Sequence, residues 1–258
     1  MSPARSQPPP DSAQLLGRVI SVLDCFSVRE PVVSAARVRE LTALPVTTAN
    51  RLLRNLVAHG LVQRDGENFK LGLRILGWSE SAKAASSLLA IAGPVIERLK
   101  DKSGETITVG VRIGSKRTVI ADCQSDKSLI YRPHIGQVLP LHAGSGGKTL
   151  LAFDRADLEV VELVKLTAAT ITDRKAFIAE LDRIRERGWA FAVQEREEGL
   201  NSASAPVFDA RGDLLAVVTI GGPSFRMPKQ KAQVFGAMVR ESADELSELL
   251  GRSRAAAP

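Results

Sequence analysis

Residues 33–72 read VSAARVRELTALPVTTANRLLRNLVAHGLVQRDGENFKLG, and the spacing inside this stretch decides how the chain is organised. Ser34 is placed to cap a short helix running through Leu41, with Val38 and Leu41 facing inward and Arg37, Arg39 and Glu40 facing water. Ala43, Leu44 and Pro45 form a turn. Thr47 or its neighbour then opens a helix to about His59, with Leu52, Leu53, Leu56 and Val57 on the apolar stripe and Gly60 as its terminator. Asp65-Gly66, flanked by Leu61, Val62, Phe69 and Leu71, marks a β-hairpin. Upstream, Leu15, Leu16, Val19, Ile20, Leu23 and Phe26 recur at helical steps between Gln14 and Phe26. Three helices followed by a hairpin are the layout of a winged helix-turn-helix.

The third helix carries the chemistry that such a layout needs. Thr47, Asn50, Arg51 and Arg54 fall on one face at i, i+3, i+4 and i+7, opposite the leucines, with Thr48 at the edge. Arginines pair with guanine or phosphate, the amide reads adenine, and the hydroxyls meet phosphates. Arg64 and Lys70 in the wing are placed for the backbone or minor groove. Charge agrees: residues 1–75 hold 10 Lys/Arg against 6 Asp/Glu, which is +4 of the +6 carried by all 258 residues. The basic excess is local to this module, and it points to double-stranded DNA.

With 44% hydrophobic and 25% charged residues the chain is neither collagen-like nor wholly disordered. Its two cysteines, Cys25 and Cys123, suit a reducing compartment. No apolar run approaches the roughly 18 residues of a membrane span, and MSPARSQPPPDSAQ lacks the apolar core of a signal peptide, so a cytoplasmic protein with no membrane partner is expected. Residues 73–102 read as a helical connector, restarting at Gly93-Pro94. Strands follow at TITVGVRI, TVIADCQ, SLIYRP and VLPLH, helices at 147–154, 156–166 and 173–187, strands again at WAFAVQ, NSASAPVFD and LLAVVTIGG, and a last helix from Pro228 to Leu250. Strands, then helices, then strands describe an α+β domain. The expected divisions are a disordered tail at 1–13, a winged helix-turn-helix at 14–75, a helical linker at 76–102, this α+β domain at 103–250 and a frayed tail at 251–258.

The sharpest competing signal is GSGGKT at residues 144–149. Gly147, Lys148 and Thr149 end as a P-loop does, which would make a nucleotide-binding enzyme, but the glycine that should open the nest is His142. Ser145 lies outside a Gly-x-Ser-x-Gly elbow, so no catalytic residue is assigned. Cys123, His134 and His142 contain no tight ligand pair, and neither metal nor cofactor is expected. Glu195, Glu197 and Glu198 beside Arg196 read as a solvated turn. What remains for the Gly-Ser-Gly-Gly loop is a concave floor where a small organic acid meets backbone amides at a helix N-terminus; a metabolite-binding module without DNA contact is the other alternative.

The 33–72 stretch resembles the winged helix-turn-helix of IclR-type bacterial transcriptional regulators, with its Arg-Leu-Leu core, His-Gly-Leu-Val segment and wing ending in Leu-Gly. LPLHAGSGGKTLLA and RERGWAFAVQEREEGLNSASAPVFDARGDLLAVVTIGGP resemble that family's effector domain, in the same order, over about residues 14–250. The resemblance implies a GAF-like antiparallel sheet domain flanked by helices, a homodimer or dimer of dimers, and a near-palindromic operator. It further implies a ligand pocket in which Ser145 and Gly146 supply the loop, Tyr131, Leu139 and Leu200 the apolar wall, and Ser202, Thr219 and Gly221 the polar strand positions. Ala192 stands where a keto-acid-binding member has a carboxylate, and Ser202 and Gly221 replace a thiol and a hydroxyl. A roomier pocket for a larger, even aromatic, acid is therefore expected.

Overall fold

The computed structural model describes residues 10–156 and 158–252 and divides into two units, one ending at Ala85 and one beginning at Ser86. The first contains α1 (Pro10–Leu23), β1 (Val32–Ser34), α2 (Ala35–Thr42), α3 (Val46–Ala58), β2 (Val62–Asp65), β3 (Asn68–Leu71) and α4 (Arg74–Ala84). Ser34 caps α2 by accepting the Arg37 N–H at 3.1 Å, which satisfies one of the helix's orphan donors. The hairpin is antiparallel, and β1 joins it in the order β1-β3-β2. This third strand escaped the sequence because three residues are too few to show alternation. Val38, Leu52, Leu53, Leu56, Val62 and Phe69 form the shared core.

Three expectations in this unit need correction. Helix α1 begins at Pro10, inside the expected 1–13 tail; residues 1–9 lie outside the described residues. Val22 is fully buried in the core, whereas Leu15, Leu16 and Ile20 are 49–60% exposed, so the apolar stripe of α1 is only partly covered within the chain. Leu41 also faces outward, because α2 is only eight residues long and turns Val38 alone fully inward before Ala43 adopts a left-handed conformation with φ 53°.

The second unit runs α5 (Ser87–Ser103), β4 (Thr106–Ile113), β5 (Lys116–Cys123), β6 (Val138–Pro140), α6 (Ser145–Phe153), α7 (Arg174–Arg187), β7 (Ala190–Val193), β8 (Leu200–Phe208), β9 (Leu214–Pro223) and α8 (Ala232–Leu249). Its sheet is antiparallel throughout, in the order β6-β5-β4-β9-β8-β7. Period-2 alternation gives the sheet two different faces. Ile107, Val109, Ala203, Ala205, Val218 and Ile220 pack under α5 and α8, where each large buried aliphatic contributes about 1.5–3 kcal/mol. On the other face Ala190 and Val217 meet α6 and α7 through Leu150, Leu151, Phe177, Leu181 and Ile184. Between those patches the same face is lined with hydroxyls.

The connector breaks at Ala85–Ser86 rather than at Gly93-Pro94. Ser86 caps α5 by accepting the Leu89 N–H at 3.2 Å, and Pro94 is absorbed inside α5 because Ala92, Val95 and Ile96 hold that turn against the core. The expected helix at 156–166 shrinks to one 3-10 turn at Leu158–Val160. The expected strand SLIYRP is a loop, and Tyr131 O accepts instead from Thr106 Oγ1 at 2.9 Å. Of the expected frayed end, residues 253–258 lie outside the described residues.

Candidate functional site

Helix α3 presents Thr47, Asn50, Arg51 and Arg54 to solvent and keeps Ala49, Leu52, Leu53 and Leu56 inward; Thr48 is half-buried at the edge. Arg54 Nε donates to Asn50 O at 3.4 Å, aligning the two along the exposed ridge. In the wing, the Arg64 guanidinium lies 5.3 Å from the Phe69 ring centroid, and Lys70 Nζ pairs with Asp65 at 3.1 Å on the surface. A surface pair of this kind is worth about 1 kcal/mol or less, so Lys70 is free to exchange it for a phosphate.

In the second unit, Tyr131, Leu139, Ser145, Gly146, Ala192, Leu200, Ser202, Thr219 and Gly221 all line one cavity, together with Arg117, Glu195 and Arg196. Strand register explains the convergence: β4, β9 and β8 align Thr108 with Thr219 and Thr219 with Ser204, while Gly221 lies opposite Ser202 and Ser202 opposite Ala192. The start of α6 closes over this row. Ser145 Oγ lies 2.8 Å from Ser202 Oγ and 2.6 Å from Ser204 Oγ, and Ser204 Oγ donates to Thr219 Oγ1 at 2.8 Å. Arg117 ends the hydroxyl chain, its Nη2 donating to Thr108 Oγ1 at 2.8 Å and to Thr219 Oγ1 at 3.1 Å. Burial pushes the Arg117 guanidinium down to about 10, against an upward pull from Tyr131 and with a further push down from Arg196.

The cavity is narrow as it stands. Its free volume is about 20 Å³, enough for one water. The Tyr131 ring fills the space over Gly221, where a Cβ would come within 2.8 Å of its Cδ1, and the Arg196 guanidinium lies 5.1 Å from that ring's centroid. Gly146 likewise makes room for Arg117, and Gly147 for the Leu141 backbone, so two glycines of the loop serve close packing. A separate open cleft of about 860 Å³ lies beside α7, α8 and the β8–β9 turn and includes none of the nine expected effector residues.

Lys148 speaks further against the P-loop alternative. Its side chain is 1% exposed, and Nζ lies 2.5 Å from Glu195 Oε1, so the ammonium is committed inside the fold. Thr149 is buried beneath Ser204. Glu195 is correspondingly no part of a solvated turn: it is buried, and Oε2 also accepts the Gly144 N–H at 3.2 Å. His142 is buried with Nε2 2.8 Å from Val164 O. Among the described residues no three His, Cys, Asp or Glu side chains gather as metal ligands would. Arg117 was missed because Lys116-Arg117 beside a Gly-Ser turn reads as surface charge; its alternation with buried Val119 was the available signal.

A winged helix-turn-helix joined to an antiparallel sensor domain defines a ligand-responsive, DNA-binding transcriptional regulator. Residues 15–66 match the family description "IclR helix-turn-helix domain" and residues 82–248 match "Bacterial transcriptional regulator IclR C-terminal". The chain belongs to the IclR family of bacterial transcriptional regulators. It is 29% identical over 247 residues to the HTH-type transcriptional repressor AllR of Salmonella typhi, covering 93% of this chain and 90% of AllR. An IclR-type regulator from Silicibacter sp. TM1040 shares the fold with a TM-score of 0.82 at 21% identity, over 92% of this chain and 96% of its own. An IclR homologue from Microbacterium hydrocarbonoxydans, solved with 4-hydroxybenzoate, gives a TM-score of 0.73 at 23% identity, over 92% and 98%. Among the described residues no helix is long and apolar enough to cross a membrane.

Proposed function

We propose that this regulator senses a small organic acid, aromatic acids included, in the cavity at the start of α6. The convergence on one cavity, at a helix N-terminus, of the nine residues that the family resemblance implies carries this reading. The 4-hydroxybenzoate bound to the Microbacterium homologue supports it by example. The acid acts as a signal and not as a substrate: Glu195, the carboxylate on the cavity wall, is engaged by Lys148 and the Gly144 N–H.

On the DNA side, Thr47, Thr48, Asn50, Arg51 and Arg54 enter the major groove, while Arg64 and Lys70 take the backbone. The working form is a homodimer or dimer of dimers on a near-palindromic operator in the cytoplasm. The exposed Leu15, Leu16 and Ile20 on α1 support self-association, since such a stripe is costly to leave in water. Regulation requires only that the acid bind the DNA-competent and DNA-free states with different affinity. Fluorescence anisotropy with DNA from the protein's own promoter tests the whole reading. Affinity should fall steeply with salt and change when the effector acid is added. Binding that ignores both salt and every acid tried would sink it.

A further inference from the structure

The fold does not account for the charge on Arg117. The side chain is 5% exposed, and its Nε is buried with no hydrogen-bond partner. Nη2 bonds only the neutral hydroxyls of Thr108 and Thr219. No carboxylate pairs with it among the described residues: Glu195, the acid that lines the cavity, is taken by Lys148 and the Gly144 N–H. The surroundings add positive potential instead. Arg196 lies on the cavity wall, and the first turn of α6 leaves the Gly146 and Gly147 N–H groups without intrahelical acceptors. For the fold alone, a well-packed apolar residue would be the less costly occupant of such a position.

The cavity is nonetheless built around this guanidinium. A Cβ on Gly146 would stand 2.7 Å from Arg117 Cζ, and one on Gly110 would also strike the side chain, so both positions leave the room it needs. The hydroxyl chain from Ser145 through Ser204 and Thr219 ends on it and ties its orientation to the start of α6.

We propose that Arg117 is the charge receptor of the effector cavity, selecting small carboxylates over their uncharged counterparts by seating the carboxylate between its guanidinium and the first backbone N–H groups of α6. The proposal rests on the reading of this cavity as the effector site and adds the residue that enforces the charge. An acid enters only when Arg196, stacked over Tyr131, shifts aside, because the free volume of the cavity is that of about one water. Burial disfavours the Arg117 charge, and an anion seated beside it offsets that penalty.

The test is a thermal-shift titration of the full-length protein and of Arg117→Met and Arg117→Lys. The probes are acetate, succinate, benzoate and 4-hydroxybenzoate, each beside its amide, at constant ionic strength. Without ligand, Arg117→Met should melt at or above the wild type, since an unpaired buried charge has gone. At least one acid should raise the wild-type Tm, leave Arg117→Met unmoved and give a reduced shift in Arg117→Lys, while no amide shifts any of them. Failure of Arg117→Met to fold, or a Tm several degrees below wild type, makes Arg117 a structural residue and overturns the proposal. An equal acid shift in Arg117→Met, or an equal shift by the amides, removes the receptor role but leaves the cavity as a ligand site. No shift of the wild type by any acid overturns both readings.

Discussion

Lys148 Nζ lies 2.5 Å from Glu195 Oε1, an ion pair 47 residues apart in sequence with both partners buried. It pins the start of α6 to the turn after β7 and so holds the floor of the cavity there. Breaking one half leaves the other charge buried and uncompensated, which typically costs about 3–5 kcal/mol. Lys148→Met should lose stability on that scale in urea denaturation. The double variant Lys148→Met/Glu195→Gln, in which the amide still accepts from Gly144, should recover most of it. Strictly additive losses would show that the two do not interact.

On the exposed face of α3, Arg51 has no hydrogen bond or ion pair among the described residues, so its removal should act on binding and leave stability within about 0.5 kcal/mol. Arg51→Ala should weaken operator binding by about 1–3 kcal/mol and relax sequence preference if it reads a base. Arg64→Ala should instead weaken all sequences alike and flatten the salt dependence by about one unit of slope. Anisotropy against operator and scrambled DNA at several salt concentrations separates the two.

Gly146→Ala puts a methyl group where Arg117 already sits. The buried guanidinium must shift, and overpacking of this kind costs about 1–3 kcal/mol. The variant should melt lower than wild type and lose its response to acids together. Gly114→Ser, at a turn with φ +56° and open space around it, is the comparison: it should tax the backbone but leave the acid response intact.

Leu53 is 1% exposed at the centre of the head's core, and Leu53→Ala should cost about 2–5 kcal/mol. Loss of DNA binding should track unfolding of the head. Circular dichroism melts compared with DNA titrations at the same temperatures would reveal any other cause.

Burial raises the Cys25 thiol above its ordinary range, with Asp24 and Glu30 adding to the shift and Arg37 opposing it; Cys123 is raised too, again chiefly by burial. The folded state therefore favours the neutral thiol, and stability declines as pH climbs through and above the ordinary thiol pKa of 9.0. Thiol-specific labelling at pH 8 should be slower in the native than in the denatured protein, with Cys25, 6% exposed, slower than Cys123. Equal native rates for both would contradict this.

The head was legible in the sequence because its signals are local. Ser34 caps three residues ahead, Gly60 and Asp65-Gly66 set turns at fixed positions, and the Leu52/Leu53/Leu56 stripe leaves Asn50, Arg51 and Arg54 outside by helical geometry alone. Errors came where partners are distant or missing. The stripe of α1 promised a buried face, yet Leu15, Leu16 and Ile20 stay exposed within the chain; SLIYRP has strand composition but forms no ladder, its Tyr131 carbonyl accepting from the Thr106 hydroxyl instead.

For the sensor, the sequence by itself determined the α+β order and the Gly-Ser-Gly-Gly turn, which are written in neighbouring residues, and its resemblance to the IclR family implied the positions from which cavity residues come. Only the tertiary structure decided where the charges go. Whether Lys148 faces a phosphate or Glu195, and whether Arg117 faces water or a closed cavity, depends on strand register and on partners 47 and 102 residues away. A charged side chain read along the chain looks solvated until the fold brings the groups that bury it.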